Sequence, residues 1–460
     1  MALLESLWDD NVRQNGISDD RCFVNYGDVL KDIQNLNQYF TAHKLKITQC
    51  VFLEVNNTID CVIIMLYFFS KKVNVFLASP NLLNSGTVPA FCDKILVLKD
   101  RNDSSSLQLQ LSENASHTDR GDFENNSGMV ILASSGSIAA PKYIYYKAEN
   151  IFKNAAACIQ HFNINKDSQL LISVPVCHMY GLGAGFLPGI MAGANVSIIN
   201  KPNVIKLIDK LRIFKPTISL INPTFCKMLL QLNKTLSQSN TYISAGEPLD
   251  SSLRTEFINR YGHLINLYGC SELGAMATSG MSLQDKVSFG EKSMKPVNGV
   301  EFKIKKTGNS NEILCKNPYG FEFYLDEYGK KMNDQPFEDG WYRTKDAGRI
   351  DHTGNLEVVG RIDLCINRSG FLLSLEELEV KLENLLESVN KIVTIETSSK
   401  ELLAICELKN NYILDTSSAK NTCLRNLPRY AVPDHFYFTE SIPRLYNGKP
   451  DRKHLTFLYT

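Results

Sequence analysis

The chain has 460 residues, 44% of them hydrophobic, with 49 basic and 49 acidic side chains. That is enough for two or three domains around a large core, and the balanced charge gives no ground for a nucleic-acid or membrane-surface partner. The longest apolar run, residues 61–69, is far shorter than the roughly 20 residues that span a bilayer. Twelve scattered cysteines without metal-ligand spacing read as buried thiols in a reducing compartment. The N-terminal MALLESLWDDN carries acids where a signal peptide carries a basic segment, so a soluble, cytoplasmic protein is expected.

Residues 1–100 alternate helix and strand signals. Val29, Leu30, Ile33, Leu36 and Phe40 recur at helical spacing over 26–40. Residues 51–54, 73–77 and 94–98 read as strands and 58–69 as a helix. Such alternation predicts a parallel sheet covered by helices, an α/β fold. The Ser-, Asn-, Asp- and Glu-rich 102–128 reads as a surface connection.

At 129–133 an apolar run reads as a buried strand. The small, hydroxyl-rich turn Ser134, Ser135, Gly136, Ser137 follows, then Pro141 and Lys142, and an amphipathic helix from about Glu149. Small residues let backbone N–H groups approach anionic oxygens, hydroxyls add donors, and lysine adds charge. Taken alone the stretch is equally an ordinary turn, since the Gly-Lys-Ser/Thr ending of a P-loop is missing. Strand signals at 169–174, 194–199, 216–221, 242–244 and 264–267 alternate with helices at 186–192 and 223–230. The first and the last two of these strands run into VCHMYGLG at 176–183, AGEPL at 245–249 and YGCSE at 268–272. Loops after strand ends are where open α/β sheets place ligands. Beyond 280, short strands at 300–304, 312–315 and 356–359 predict a β-rich subdomain over about 281–362. A compact α+β unit, with a main helix at 375–386, is expected over 363–460 after a large N-terminal part, 1–362.

Five stretches stand in one order: ILASSGSIAAPKYIYY at 131–146, NLYGCSE at 266–272, WYRTKD at 341–346, GRIDLCINRSGFLLSLEELE at 360–379 and IPRLYNGKPDRKHL at 442–455. Together they resemble the adenylate-forming superfamily of acyl- and aryl-CoA synthetases, firefly-type luciferases and adenylation domains of nonribosomal peptide synthetases. The resemblance implies a large domain followed by a small mobile one. It implies ATP- and Mg²⁺-dependent activation of a carboxylic acid to an acyl-adenylate, then transfer to a thiol.

By this resemblance Ser134, Ser135, Ser137 and Lys142 contact pyrophosphate. Ala139 and Tyr143 stand where the family's loop has glycines, and Ile138 where it has a hydroxyl. Tyr268 stacks on adenine, with Gly246, Glu247 and Pro248 on its other side. Ser271 contacts the α-phosphate, Glu272 helps hold Mg²⁺, and Asp346 and Arg361 bind ribose or phosphate. Lys345 stands where the family often has glycine, and Leu372 where it often has a polar residue. Asp363 is the hinge, and Lys449 is the catalytic lysine that bridges carboxylate and ATP. His178, Gly181 and Gly274 line the acyl pocket, His178 close to the chemistry.

No acid occurs between Asp167 and Asp209, the region where amino-acid-activating domains place a counter-charge. The expected substrate is therefore an aromatic or aliphatic acid without a free α-amino group. No carrier module follows the lysine motif, so the acceptor is expected to be a separate phosphopantetheinyl carrier protein. The alternatives are a CoA ligase using free CoA, and a degenerate homologue that binds nucleotide or acyl ligand without turnover.

Overall fold

The computed structural model describes residues 7–42, 50–80, 82, 88–99, 108–116, 128–133, 142–232, 236, 240–247, 249–280, 293–307, 310–333, 335–369, 371–409, 412, 414–444 and 450–459. The chain divides into two compact units, Met1–Glu301 with Asn317–Gln335, and Phe302–Lys316 with Pro336–Thr460. The expected break at residue 363 falls inside the second unit.

The first unit contains two sheets. In one, Val51–Glu54, Val75–Ala78, Lys94–Lys99 and Met129–Ala133 run parallel. Antiparallel strands finish its edges, Gln108–Glu113 at one and Tyr143–Lys147 with Phe323–Leu325 at the other. The helix over Tyr26–Ala42 buries the apolar stripe that its periodicity predicts. Ile59–Ser70 follows Thr58, whose side chain accepts from the Cys61 N–H as an N-cap. That helix is buried nearly all round, because apolar residues occupy every face.

The second sheet is parallel across Gly16–Ser18, Asn195–Ile198, Gln169–Ile172, Ile218–Ile221, Thr241–Ser244 and Leu264–Cys270. Gly274–Ser279 then returns antiparallel. Leu207, Leu229, Tyr242 and Phe257 form the core between this sheet and its helices.

Three local expectations are corrected. Within 102–128, Gln108–Glu113 is a strand that pairs antiparallel, residue for residue, with Lys94–Lys99. The helix near Glu149 starts at Ala148 and is preceded by the strand Tyr143–Lys147. The strand at 264 continues to Cys270 instead of ending before Tyr268, because Gly274–Ser279 supplies a partner across a bulge at Tyr268/Gly269.

The second unit begins as an antiparallel ladder of Ser310–Lys316, Trp341–Ile350 and Leu356–Arg361. Further on, Val389–Glu396, Leu402–Leu408 and His435–Thr439 form a three-stranded sheet. The helix Leu375–Leu385 packs Leu378 and Leu382 into its core, N-capped by Ser374. The buried carboxylate of Glu379 accepts from Thr394 N–H and Oγ1 and pairs with Arg452 Nη2 at 2.7 Å. That pairing anchors the last helix, Arg452–Tyr459. No helix among the described residues is long and apolar enough to cross a membrane.

Candidate active site

In the first unit the candidate residues lie where parallel strands end. Asn222 and Thr224 follow Ile218–Ile221, Gly246 and Glu247 follow Thr241–Ser244, and the turn 271–273 follows Leu264–Cys270. In a parallel sheet these ends share one edge, with all the loops leaving on the same side. Tyr180 braces that edge, its phenol donating to the carbonyls of Ile221 at 2.9 Å and Ile243 at 2.6 Å.

The turn after Tyr268 is held at three successive carbonyls. Tyr146 Oη donates to Ser271 O at 2.9 Å, the Phe321 N–H to Glu272 O at 2.9 Å, and Asn317 Nδ2 to Leu273 O at 2.7 Å. The Glu272 side chain is held as well: Tyr324 Oη donates to Oε1 at 2.7 Å. Tyr146 and Tyr324 come from adjacent strands of the first sheet, so these phenols join the two sheets at the candidate site. Burial, with Cys270 and Glu272 nearby, pushes the Tyr146 phenol up, and it stays a donor at neutral pH. Lys142, one residue ahead of the strand that carries Tyr146, sets Nζ 5.3 Å from the Tyr324 ring centroid.

Gly274 closes this turn at φ +71°, and a Cβ there would come within 2.7 Å of the Asn154 side chain. Both facts demand glycine. Asn154 is fully buried, and neither of its amide atoms has a hydrogen-bond partner among the described residues. Gly181 is buried because the Pro175 carbonyl passes 2.2 Å from where its Cβ would be. His178 is exposed just ahead of the short helix Met179–Gly181. The protein packed around its imidazole lowers the pKa, which keeps the ring neutral at pH 7. Glu247 accepts from Thr224 Oγ1 at 2.8 Å and from Asn222 Nδ2 at 3.3 Å.

Among the described residues no three His, Cys, Asp or Glu side chains gather as a closed metal cage. One fixed carboxylate, Glu272, fits an ion that arrives with phosphates and keeps most of its water.

In the second unit Asp346 lies opposite Arg361 on neighbouring strands, with Nη1 to Oδ1 at 3.6 Å. Arg361 Nε also donates to Asp363 at 3.2 Å. Burial works against the Arg361 charge, but Asp346 and Asp363 outweigh it and raise its pKa. Lys345, at the position where glycine is frequent, has φ +59°. The conformation is left-handed although the residue carries a Cβ. Glu312, fully buried, accepts from the Lys345 N–H at 3.3 Å and from Arg343 Nη2 at 2.7 Å. Asp363 is exposed in a single 3₁₀ turn between two strands.

Ser134, Ser135, Ser137, Pro248 and Lys449 lie outside the described residues. Arg444 pairs with Pro450 in a β-bridge, and Arg452 pairs with Glu379. Sequence reading missed Tyr146, Tyr324, Asn317, Glu312 and Arg343. Only the aromatic run YIYYK carried a local strand signal. The others act through contacts 31 to 52 residues away in sequence.

The chain is similar to known proteins in sequence and in fold. A family profile for AMP-binding enzymes matches residues 58–325. The chain is 24% identical over 346 residues to the 2-succinylbenzoate–CoA ligase of Bacillus pumilus, covering 73% of this chain and 70% of that one. It is 25% identical over 358 residues to the D-alanine–D-alanyl carrier protein ligase of Bacillus velezensis, covering 71% and 70%. The fold matches the o-succinylbenzoate CoA synthetase of Bacillus subtilis in complex with its acyl-adenylate intermediate. That match has a TM-score of 0.80 at 17% identity and covers 98% and 97% of the two chains. The chain belongs to the AMP-binding enzyme family, the adenylate-forming ligases that include the acyl- and aryl-CoA synthetases.

Proposed function

We propose that the protein activates a carboxylic acid without a free α-amino group, using ATP and Mg²⁺, and passes the acyl group to a phosphopantetheine thiol. The observation that carries this reading is the immobilised 271–273 turn, which sets Tyr268, Ser271 and Glu272 at the carboxyl edge of the parallel sheet. Tyr268 offers a stacking face for adenine, with Gly246 and Glu247 on the neighbouring strand's loop. Asp346 can accept from both ribose hydroxyls, with Arg361 beside it. A carboxylate oxygen of the acid attacks the α-phosphorus, and the bond to pyrophosphate breaks. Bound Mg²⁺ would neutralise charge on the phosphates, held through Glu272. Lys449 supplies positive charge where carboxylate and phosphate approach each other, and Lys142 faces the departing pyrophosphate. The thiol sulfur then attacks the acyl carbon and the bond to AMP breaks. Rotation at Asp363 would exchange one half-reaction for the other.

The absence of an acid in the 168–208 stretch favours an acyl group without an ammonium, since a buried ammonium without a counter-charge is costly. A carrier protein is the first acceptor to test. Free CoA is the second reading, favoured by the names of most of the relatives. The test is acid-dependent exchange between pyrophosphate and ATP over a panel of aryl, fatty and amino acids, followed by thioester formation with carrier protein or CoA. Exchange with aryl or fatty acids is expected. Exchange with amino acids alone would overturn the substrate class, and none with any acid would leave the non-catalytic homologue.

A further inference from the structure

We infer that Tyr324 is a positioning residue for adenylation: one side chain orients the metal-binding carboxylate of Glu272 and stations Lys142 beside it. This rests on the assignment of Glu272 to Mg²⁺ made above, and names a residue that the sequence motifs do not contain.

Tyr324 sits in the short strand Phe323–Leu325, paired with Tyr143–Lys147, and is 6% exposed. A buried phenol needs a partner wherever it lies. Here the partner is the Glu272 carboxylate, 52 residues away in sequence, at 2.7 Å. That is the short distance of a charge-assisted bond. Only Oε1 is taken by the phenol, which leaves Oε2 to turn toward an incoming cation. The backbone under the same residue is fixed independently by the Phe321 N–H, three residues before Tyr324. Main chain and carboxylate of Glu272 are thus set by one short segment. Phe321 also packs on the Tyr324 ring, with centroids 4.8 Å apart, so the ring's own orientation is restrained.

The face of that ring carries Lys142 Nζ at 5.3 Å. Joining the two contacts places the lysine expected on pyrophosphate and the carboxylate expected on Mg²⁺ at one side chain. The charges that must meet the triphosphate are then arranged before it arrives. Partners of a ligating carboxylate typically contribute about 10- to 100-fold in metal affinity.

The experiment uses the full chain and calorimetry. ATP binding is measured with and without Mg²⁺, and AMP binding without metal, for the wild type, Tyr324→Phe and Tyr324→Leu. In the wild type Mg²⁺ should tighten ATP binding. Tyr324→Phe keeps the ring under Lys142 and removes the hydroxyl. Its Mg²⁺-dependent gain should shrink about 10-fold or more, with metal-free AMP affinity unchanged. Tyr324→Leu should lose that gain and also bind metal-free ATP more weakly, while AMP again holds. A full Mg²⁺ gain in Tyr324→Phe overturns the inference and leaves Glu272 as the metal residue. Equal weakening of AMP and Mg·ATP also overturns it, because that is the mark of a merely structural tyrosine. Absence of any Mg²⁺ gain in the wild type sinks the Glu272 assignment itself, and Tyr324 falls with it.

Discussion

The two units hold their candidate acids by opposite means. In the first, Glu272 is fixed by neutral groups: phenols, a backbone amide and a side-chain amide, on a turn whose carbonyls are all engaged. In the second, Asp346 stands among charges, with Arg361, Asp363, Arg343 and Glu312 around a backbone that turns left-handed at a lysine. Neutral donors orient a carboxylate without cancelling its charge, which suits a residue meant to meet a cation. Charged neighbours balance one another, which suits a group that must meet neutral ribose hydroxyls without a net field. The first unit is thus organised for electrostatics and the second for shape.

If that contrast is right, the largest effect belongs to the charge that the second unit adds. Lys449→Ala should lose about 10²- to 10³-fold in adenylate formation yet still convert a supplied acyl-adenylate to thioester. Equal loss in both half-reactions would mean that its role is not confined to adenylation. The next effect concerns the buried ion pair. Glu312→Ala removes a two-point contact to Arg343 and the cap on the Lys345 N–H. It should lower the stability of the second unit by about 1.5–3 kcal/mol, read as an earlier urea transition. Arg343 is 40% exposed and can rehydrate, so the loss stays below that of a fully buried pair. An unchanged transition would show that shape there does not depend on this pair.

Relieving the left-handed lysine is smaller. Lys345→Gly removes a backbone cost of about 1–2 kcal/mol and adds unfolded-state freedom of about 0.5–1 kcal/mol. A net gain of at most about 1.5 kcal/mol in thermal unfolding is expected, and destabilisation would mean that the lysine side chain itself contributes. The smallest effect is on pH. Burial lowers the pKa of both His161 and His178. As pH falls below the ordinary imidazole value of about 6.5, the unfolded chain takes up protons first. Their contribution to stability is therefore present above that value and is lost as pH drops toward the folded-state pKa. His161→Gln should flatten the acid limb of the stability profile more than His178→Gln, since water screens the exposed His178. Identical limbs in the wild type and both variants would remove the histidines from the account.

Much of this was legible in the sequence where the signal is local. Helical spacing marked 26–40, apolar runs marked the parallel strands, and NLYGCSE and WYRTKD marked both acids because neighbouring residues make those motifs. The supports were not legible. Tyr324 meets Glu272, and Glu312 meets Arg343, only after strands from distant parts of the chain pair. No spacing rule reports such contacts. The strand 264–270 read as ending at 267 because Gly269 has weak strand preference. Tertiary pairing with Gly274–Ser279 extends it. Lys345 reads as a departure from the family pattern, and the structure shows that its backbone nevertheless adopts the conformation that favours glycine.

Glu272, on its clamped turn, is the residue proposed above to hold Mg²⁺ during adenylation. The direct measurement is acid-dependent pyrophosphate–ATP exchange in the wild type and Glu272→Gln, titrated with Mg²⁺ at subsaturating ATP. The amide keeps a partner for Tyr324 and removes the charge. The expected result is a variant that needs much more Mg²⁺ and exchanges slowly even when saturated. An exchange rate and Mg²⁺ dependence equal to those of the wild type would contradict the account.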